Sequence, residues 1–158
     1  MARIGTGYDI HRVAPGGPLT LGGVQIDCPF HLLGHSDADA VLHAVTDAVL
    51  GALAAGDIGD LFPDTDPKYA GADSAAFLAG AMALARQANY RVENCDVTIV
   101  AERPKLSAYK RAMQERIASL LGVAPSAVGV KAKTNEGLGP VGAGEAVAVM
   151  AAVLLAPA

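Results

Sequence analysis

The segment from Ser36 to Ala55 constrains the fold more than any other, because two stripes run along it side by side. Val41, Val45, Val49 and Leu53 recur every fourth residue, the spacing of one helix face. Asp39, His43 and Asp47 recur at the same spacing on a neighbouring face. An amphipathic helix must bury its apolar stripe against a second layer, so the polar stripe competes for the same packing surface. Ser36 with Asp39 three residues on resembles a capping box with Asp in place of Glu, which predicts a helix from Ser36 to about Ala55. Asp37 and Asp39 suit the positive end of its dipole.

The rest of the chain supplies that second layer. Ile4 to Val13 alternates loosely and reads as a strand, and Leu19–Leu21 and Val24–Ile26 flank Gly22–Gly23 in a hairpin pattern. Ala-rich Ser74 to Asn89 predicts a second helix, and Pro104 or Lys105 to Leu121 a third, stopped by Gly122. Val92 to Ala101, Val128 to Lys133 and Val-rich Ala146 to Leu155 predict strands, the last after a glycine-rich turn from Gly137 to Gly144. Between the first two helices, Gly56 to Ala72 forms a 17-residue Gly/Asp/Pro-rich loop, in which Pro63 and Pro67 forbid a regular helix. Loops of that length are usually functional or disordered. This order predicts an α+β fold: a mixed four-stranded sheet plus a small hairpin, with three helices on one face. No repeat or linker interrupts residues 1–158, which read as a single catalytic domain.

Composition narrows the class. Hydrophobic residues make up 52% and aromatics only 4%, so the core must be built from Ala, Val, Leu and Ile. Net charge is −4 with no basic run, which argues against nucleic-acid binding. Cys28 and Cys95 lack Cys-x-x-Cys spacing and read as buried or semi-buried thiols of a reducing compartment. The apolar run Ala146 to Ala156 falls short of the ~20 residues a bilayer requires, and no charged-then-apolar leader opens the chain, so no membrane association and a cytoplasmic location are expected.

Several residues can carry chemistry. Asp9 and His11 are two apart, so a strand points both to one side. With His43 they make a three-ligand set for zinc with one open position, and Asp39 or Asp47 could accept the second N–H of His43. The bland alternatives are a solvent-facing strand end and a salt-bridged surface His. His35–Ser36 stands at a predicted helix N-terminus, where backbone N–H groups attract anions, although Ser36 also reads as a plain cap. The carboxylates around Gly56–Gly59 and Phe62–Asp66 fit a binding loop or simple turn chemistry. Lys131, Lys133, Thr134 and Glu136 sit where a strand runs into glycines, suiting phosphate oxygens and a hard cation such as Mg²⁺, or merely ending a strand. Gly137 to Gly142 matches G-x-G-x-x-G, but the acid a dinucleotide site needs would fall beyond the chain end. His31, between Phe30 and Leu32, reads as structural.

The run from His35 to Gly51 (HSDADAVLHAVTDAVLG), together with Gly7-Tyr-Asp9-Ile-His11 and Gly56-Asp-Ile-Gly…Phe62-Pro-Asp-Thr-Asp66-Pro, resembles the 2-C-methyl-D-erythritol 2,4-cyclodiphosphate synthase family of the non-mevalonate isoprenoid pathway. The resemblance extends from Arg3 to about Ala152. It implies a homotrimer with active sites between subunits. It also implies cyclisation of 4-diphosphocytidyl-2-C-methyl-D-erythritol 2-phosphate with release of CMP. Carried over by position, Asp9, His11 and His43 hold zinc, Glu136 holds Mg²⁺ or Mn²⁺, and His35 and Thr134 stabilise the transition state. Ser36, the turn Asp57, Ile58 and Gly59, and the loop Phe62, Pro63, Asp64, Thr65 and Asp66 hold the methylerythritol phosphate end, and Asp9, Ile10, His11 and His35 also contact substrate. Ala101, Glu102, Arg103, Pro104, Lys105, Leu106 and Ser107 take the cytidine diphosphate end, with Lys133, Thr134, Asn135 and Glu136 completing the substrate contacts. The chain departs from the family where Pro140 and Ala143 replace a Phe and an Arg that in relatives line a central cavity for an isoprenoid diphosphate. Loss of a bidentate phosphate donor implies weak or no binding of such ligands at the trimer core. Two other readings stand beside the synthase: a zinc-dependent phosphoester hydrolase and a non-catalytic metal-binding trimer subunit.

Overall fold

Strand parity organises the molecule. In the computed structural model, which describes residues 1–158, strand β1 (Arg3–Pro15) turns Gly5, Gly7, Asp9 and His11 to one side and Ile4, Thr6, Tyr8 and Ile10 to the other. Helix α1 (Ala40–Leu53) lies against the first side. The two glycines let it come unusually close. A Cβ on Gly7 would sit 1.9 Å from the carbonyl oxygen of Ala44, and one on Gly5 would sit 2.0 Å from that of Ala48. Gly7→Ala is therefore expected to cost about 3 kcal/mol or more, read as a lower urea midpoint, because backbone and not a flexible side chain must give way.

The remaining elements follow in chain order. Strands β2 (Leu19–Leu21) and β3 (Val24–Ile26) form the small hairpin, with Gly22 and Gly23 at φ +61° and +70°, as the Gly-Gly pair requires. Then come β4 (Phe30–Leu32), α1, the one-turn α2 (Ile58–Leu61), α3 (Ser74–Gln87), β5 (Tyr90–Val100), α4 (Lys110–Leu121), β6 (Val128–Lys133), the one-turn α5 (Gly139–Gly142) and β7 (Ala146–Pro157). The sheet order is β4-β1-β7-β5-β6, antiparallel throughout except for the parallel β5–β6 pair. The long helices α1, α3 and α4 cover one face, over a continuous core of Ala, Val, Leu and Ile.

The sheet is mixed as expected but has five strands, not four. Phe30–Leu32 pairs with Val13–Pro15 at the end of β1, and a three-residue strand is too short to show a period. The helix over Ser36 to Ala55 begins at Ala40 instead, because its cap is Asp39 and not Ser36. The loop after Gly56 is partly ordered into α2 and a 3₁₀ turn at Pro67–Tyr69, on either side of Pro63. The third helix starts at Lys110, and the stretch from Pro104 before it lines a cavity. The G-x-G-x-x-G match itself contains the single turn of α5, and β7 begins four residues after the match, so no dinucleotide-binding helix follows it. No helix is long and apolar enough to cross a membrane.

Candidate active site

Three donor atoms meet where β1 and α1 touch. His11 Nε2 lies 2.9 Å from Asp9 Oδ2, His43 Nδ1 lies 3.1 Å from the same oxygen, and the two nitrogens are 3.2 Å apart. That is a nearly equilateral triangle. Ligands of a tetrahedral zinc at ~2.0–2.1 Å would be separated by about 3.3 Å, so the donor set fits the metal in type and in spacing. The outer nitrogens agree. His11 Nδ1 donates to the Leu33 carbonyl at 2.7 Å, which leaves the Nε2 lone pair facing inward. His43 Nε2 contacts the hydroxyls of Ser74 (2.8 Å) and Ser36 (3.0 Å), which leaves Nδ1 to face inward.

Lone pairs converging on one point require positive charge there, from a proton or a cation. Burial works to raise the Asp9 pKa, yet the hydrogen bonds from His11 and His43 outweigh it and hold the carboxyl at about 2. Burial works to lower the His11 pKa, and its hydrogen bond with Asp9 overcomes this and raises it.

The acids on α1 do not serve His43. Asp39 is fully buried; it takes N–H groups of Val41 and Leu42 and reaches across to those of Gly22 and Gly23. Asp47 accepts the Ile58 N–H at 2.8 Å and so anchors the Asp57–Gly59 turn; burial, opposed by that bond, pushes its pKa up. The partner of His43 is Ser74, the buried first residue of α3. Sequence reasoning missed it because a Ser beside the Asp73 cap looks like ordinary helix-start chemistry.

Beside the triangle opens a cavity of about 410 Å³ lined by His11, His43, His35, Ser36, Ile58, Gly59, Phe62, Asp64, Tyr69 and Phe77. Phe62, Tyr69 and Phe77 form an aromatic cluster with ring centroids 4.8–5.7 Å apart, and Phe77 lies 6.0 Å from the His43 ring. Tyr69 and Phe77 were not legible as site residues, since each meets Phe62 through the folding of the loop and not through local spacing. Asp57, Pro63, Thr65 and Asp66 flank the cavity without lining it. Asp57 caps α2 in a capping box, and the Asp66 side chain takes the Lys68 N–H while its carbonyl faces His35 Nε2 at 3.2 Å. Ile10 sits on the opposite face of β1, 45% exposed.

The other group of expected residues lies elsewhere. Ala101, Glu102, Pro104, Lys105, Leu106, Ser107, Lys133 and Thr134 line a second cavity of about 480 Å³. Thr134 Oγ1 donates to Glu136 at 2.9 Å, and Asn135 Nδ2 donates to the Leu138 carbonyl at 2.7 Å. Arg103 stacks over Phe30, 5.4 Å from the ring centre. Lys131 is paired with Asp96 and stays out of the cavity. No residue lines both cavities, and β6 is three strand spacings from β1, roughly 14 Å.

The chain matches the YgbB family over residues 2–156. It is 56% identical over 155 residues to the 2-C-methyl-D-erythritol 2,4-cyclodiphosphate synthase of Geobacillus kaustophilus, covering 98% of each chain. It is 54% identical over 153 residues to the synthase of the same name from Symbiobacterium thermophilum, covering 97% of this chain and 98% of that one. Its fold superposes on the CDP complex of IspF from Plasmodium falciparum with a TM-score of 0.87 at 39% identity, covering 99% and 96% of the two chains.

Proposed function

The chain belongs to the YgbB family, and from that premise we infer how its residues carry out the cyclisation of 4-diphosphocytidyl-2-C-methyl-D-erythritol 2-phosphate to 2-C-methyl-D-erythritol 2,4-cyclodiphosphate, with release of CMP. The observation that carries the reading is the donor triangle of Asp9, His11 and His43 at the mouth of a cavity whose one Ser, Ser36, lies against the outer nitrogen of His43 and which has no Cys nucleophile. The reaction needs none, because the substrate's own 2-phosphate attacks the β-phosphorus. The protein's work is to fold the substrate back on itself and to offset charge.

Asp9, His11 and His43 would hold zinc, and Glu136, an exposed single carboxylate, would hold Mg²⁺ or Mn²⁺. Bound there, the two cations supply Lewis-acid polarisation of phosphate oxygens and offset their charge. His35, Ser36 and the Asp57–Gly59 turn seat the methylerythritol phosphate against the Phe62–Asp66 loop. Ala101–Ser107 and Lys133 seat the cytidine diphosphate end, and His35 and Thr134 donate toward charge that develops in the transition state.

The two cavities are halves of one site, completed when a second copy brings its Thr134 side to the first copy's zinc side. The assembly is a homotrimer joined through the open sheet face. Its support is the apolar stripe left uncovered there: Ile4 is 71% exposed, Tyr8 58% and Met150 50%. The protein acts in the cytoplasm as a single domain.

CMP release from the cytidylated substrate tests both parts of this reading. His43→Ala and Thr134→Ala are each expected to be inactive alone. Equal co-refolding of the two should restore about a quarter of wild-type activity, since random mixing pairs an intact zinc half with an intact Thr134 half that often. Wild-type protein that releases no CMP would overturn the activity, and a mixture without recovery would overturn the shared site.

A further inference from the structure

Three candidates outside the assigned contacts stand out. The groove between Arg86, Arg91 and Leu121 is open and exposed, and nothing in the structure says what covers it. Cys95 is a lone buried thiol, pushed up to about 12 by burial, and therefore unreactive. The third candidate is the chain of polar groups behind His43, which carries an inference.

Ser74 has one hydroxyl proton, and its Oγ makes a short contact with Asp37 Oδ1. A carboxylate can only accept, so that proton points to Asp37. Ser74 Oγ must then accept from His43 Nε2 at 2.8 Å, which puts the ring proton on Nε2. Nδ1 is left with its lone pair aimed at Asp9 and His11. Asp37 is itself fixed: its oxygens also take the N–H groups of Asp39 (3.1 Å) and Ser74 (3.2 Å). Its own N–H donates to the Ala72 carbonyl at 3.0 Å, which ties the Asp37 turn to the start of α3. Ser74 is fully buried, so water cannot replace it.

We propose that Ser74 and Asp37 are positioning residues of the metal centre: a carboxylate–hydroxyl–imidazole relay that sets which nitrogen of His43 meets the cation. This rests on the metal reading of Asp9, His11 and His43 given above. The two histidines use opposite nitrogens, and the relay explains how. A backbone carbonyl, Leu33, orients His11, whereas a side-chain hydroxyl backed by a negative charge orients His43. The relay also spans α1, the turn before it and the start of α3, so the end of the cavity loop is held by the same bonds that hold the ligand.

The test uses zinc alone, titrated into metal-stripped full-length protein against a chromogenic chelator, with His43→Ala as reference. Ser74→Ala is expected to weaken zinc binding about 10- to 100-fold, the usual effect of losing such an outer partner. Asp37→Asn keeps the hydroxyl but removes the charge, and should weaken it by a smaller factor. Long-range proton–nitrogen spectra of the metal-free protein at mildly alkaline pH supply the readout a merely structural role would not move. In Ser74→Ala, His43 should lose its single Nε2–H form while His11 keeps its Nδ1–H form. If His43→Ala bound zinc like wild type, the ligand assignment itself would be wrong. If His43→Ala lost zinc while Ser74→Ala and Asp37→Asn kept wild-type affinity and the same His43 form, the relay alone would be wrong. Should Ser74→Ala not fold, Asp37→Asn decides by the same two readouts.

Discussion

Replacing His43 by alanine is expected to leave a folded protein that retains no zinc and turns over at least about a thousandfold more slowly, several kcal/mol of lost charge stabilisation. His43 supplies one of three donors, and Asp9 and His11 alone give a two-ligand site that cannot hold the metal against dilution. The fold should survive. The side chain sits at the edge of the core and is 13% exposed, and alanine is the best helix former at a mid-helix position. Losing the bond to Ser74 is softened because Ser74 still donates to Asp37. Metal analysis after gel filtration, with far-UV circular dichroism on the same sample, checks both halves. Full zinc occupancy with normal turnover would remove His43 from the site.

Asp39→Ala is expected to do the reverse, damaging the fold rather than the chemistry. The carboxylate is completely buried and accepts four backbone N–H groups: Gly22 at 2.8 Å, Gly23 at 2.6 Å, Val41 at 3.1 Å and Leu42 at 3.0 Å. It caps α1 and pins the β2–β3 hairpin to that cap. Burial pushes its pKa up, and the amide bonds oppose the rise. Truncation orphans these donors in a site closed to water, and each orphan costs ~1–3 kcal/mol. Allowing for relaxation and non-additivity, the loss is about 4 kcal/mol, or roughly 8–16 °C in Tm for a chain of this size. Asp39→Asn keeps one acceptor and sets an amide NH₂ against another N–H, so it should lose about half as much. Urea unfolding of the three proteins gives the order. Wild-type stability in Asp39→Ala would show that the hairpin and cap do not depend on the carboxylate.

The contrast between these two residues marks what was legible in the sequence. Helical spacing put Asp39, His43 and Asp47 on one face, and they are on one face. Spacing does not say what lies opposite each position. Opposite Asp39 is the Gly22–Gly23 turn, opposite His43 are Asp9 and Ser74, and opposite Asp47 is Ile58. Asp9 and His11 were readable as a pair because strand parity is local. That Gly5 and Gly7 share their side, and so let α1 approach, follows from the same parity, but its importance emerges only when the helix is in place. The short strand Phe30–Leu32 was invisible because its pairing with the end of β1 is a tertiary fact. Ser74 and Phe77 were missed for the same reason: each meets His43 across 31 or more residues of chain.

The distribution of site residues over two cavities was also out of reach. A motif names residues without saying that His35 and Thr134 line different cavities of one copy. That separation is what the proposed shared site accounts for, since in that proposal both groups reach one substrate.

Phosphorus NMR of the complete reaction tests the central claim most directly, because it reads which bond forms at the β-phosphorus. Wild-type protein with zinc, magnesium and the cytidylated 2-phosphate substrate is expected to yield two coupled resonances of a cyclic diphosphate together with CMP, and no inorganic phosphate. Inorganic phosphate would mean that the zinc site activates water as a hydrolase does, and an unchanged substrate spectrum would mean a binding protein; either would contradict attack by the substrate's own phosphate.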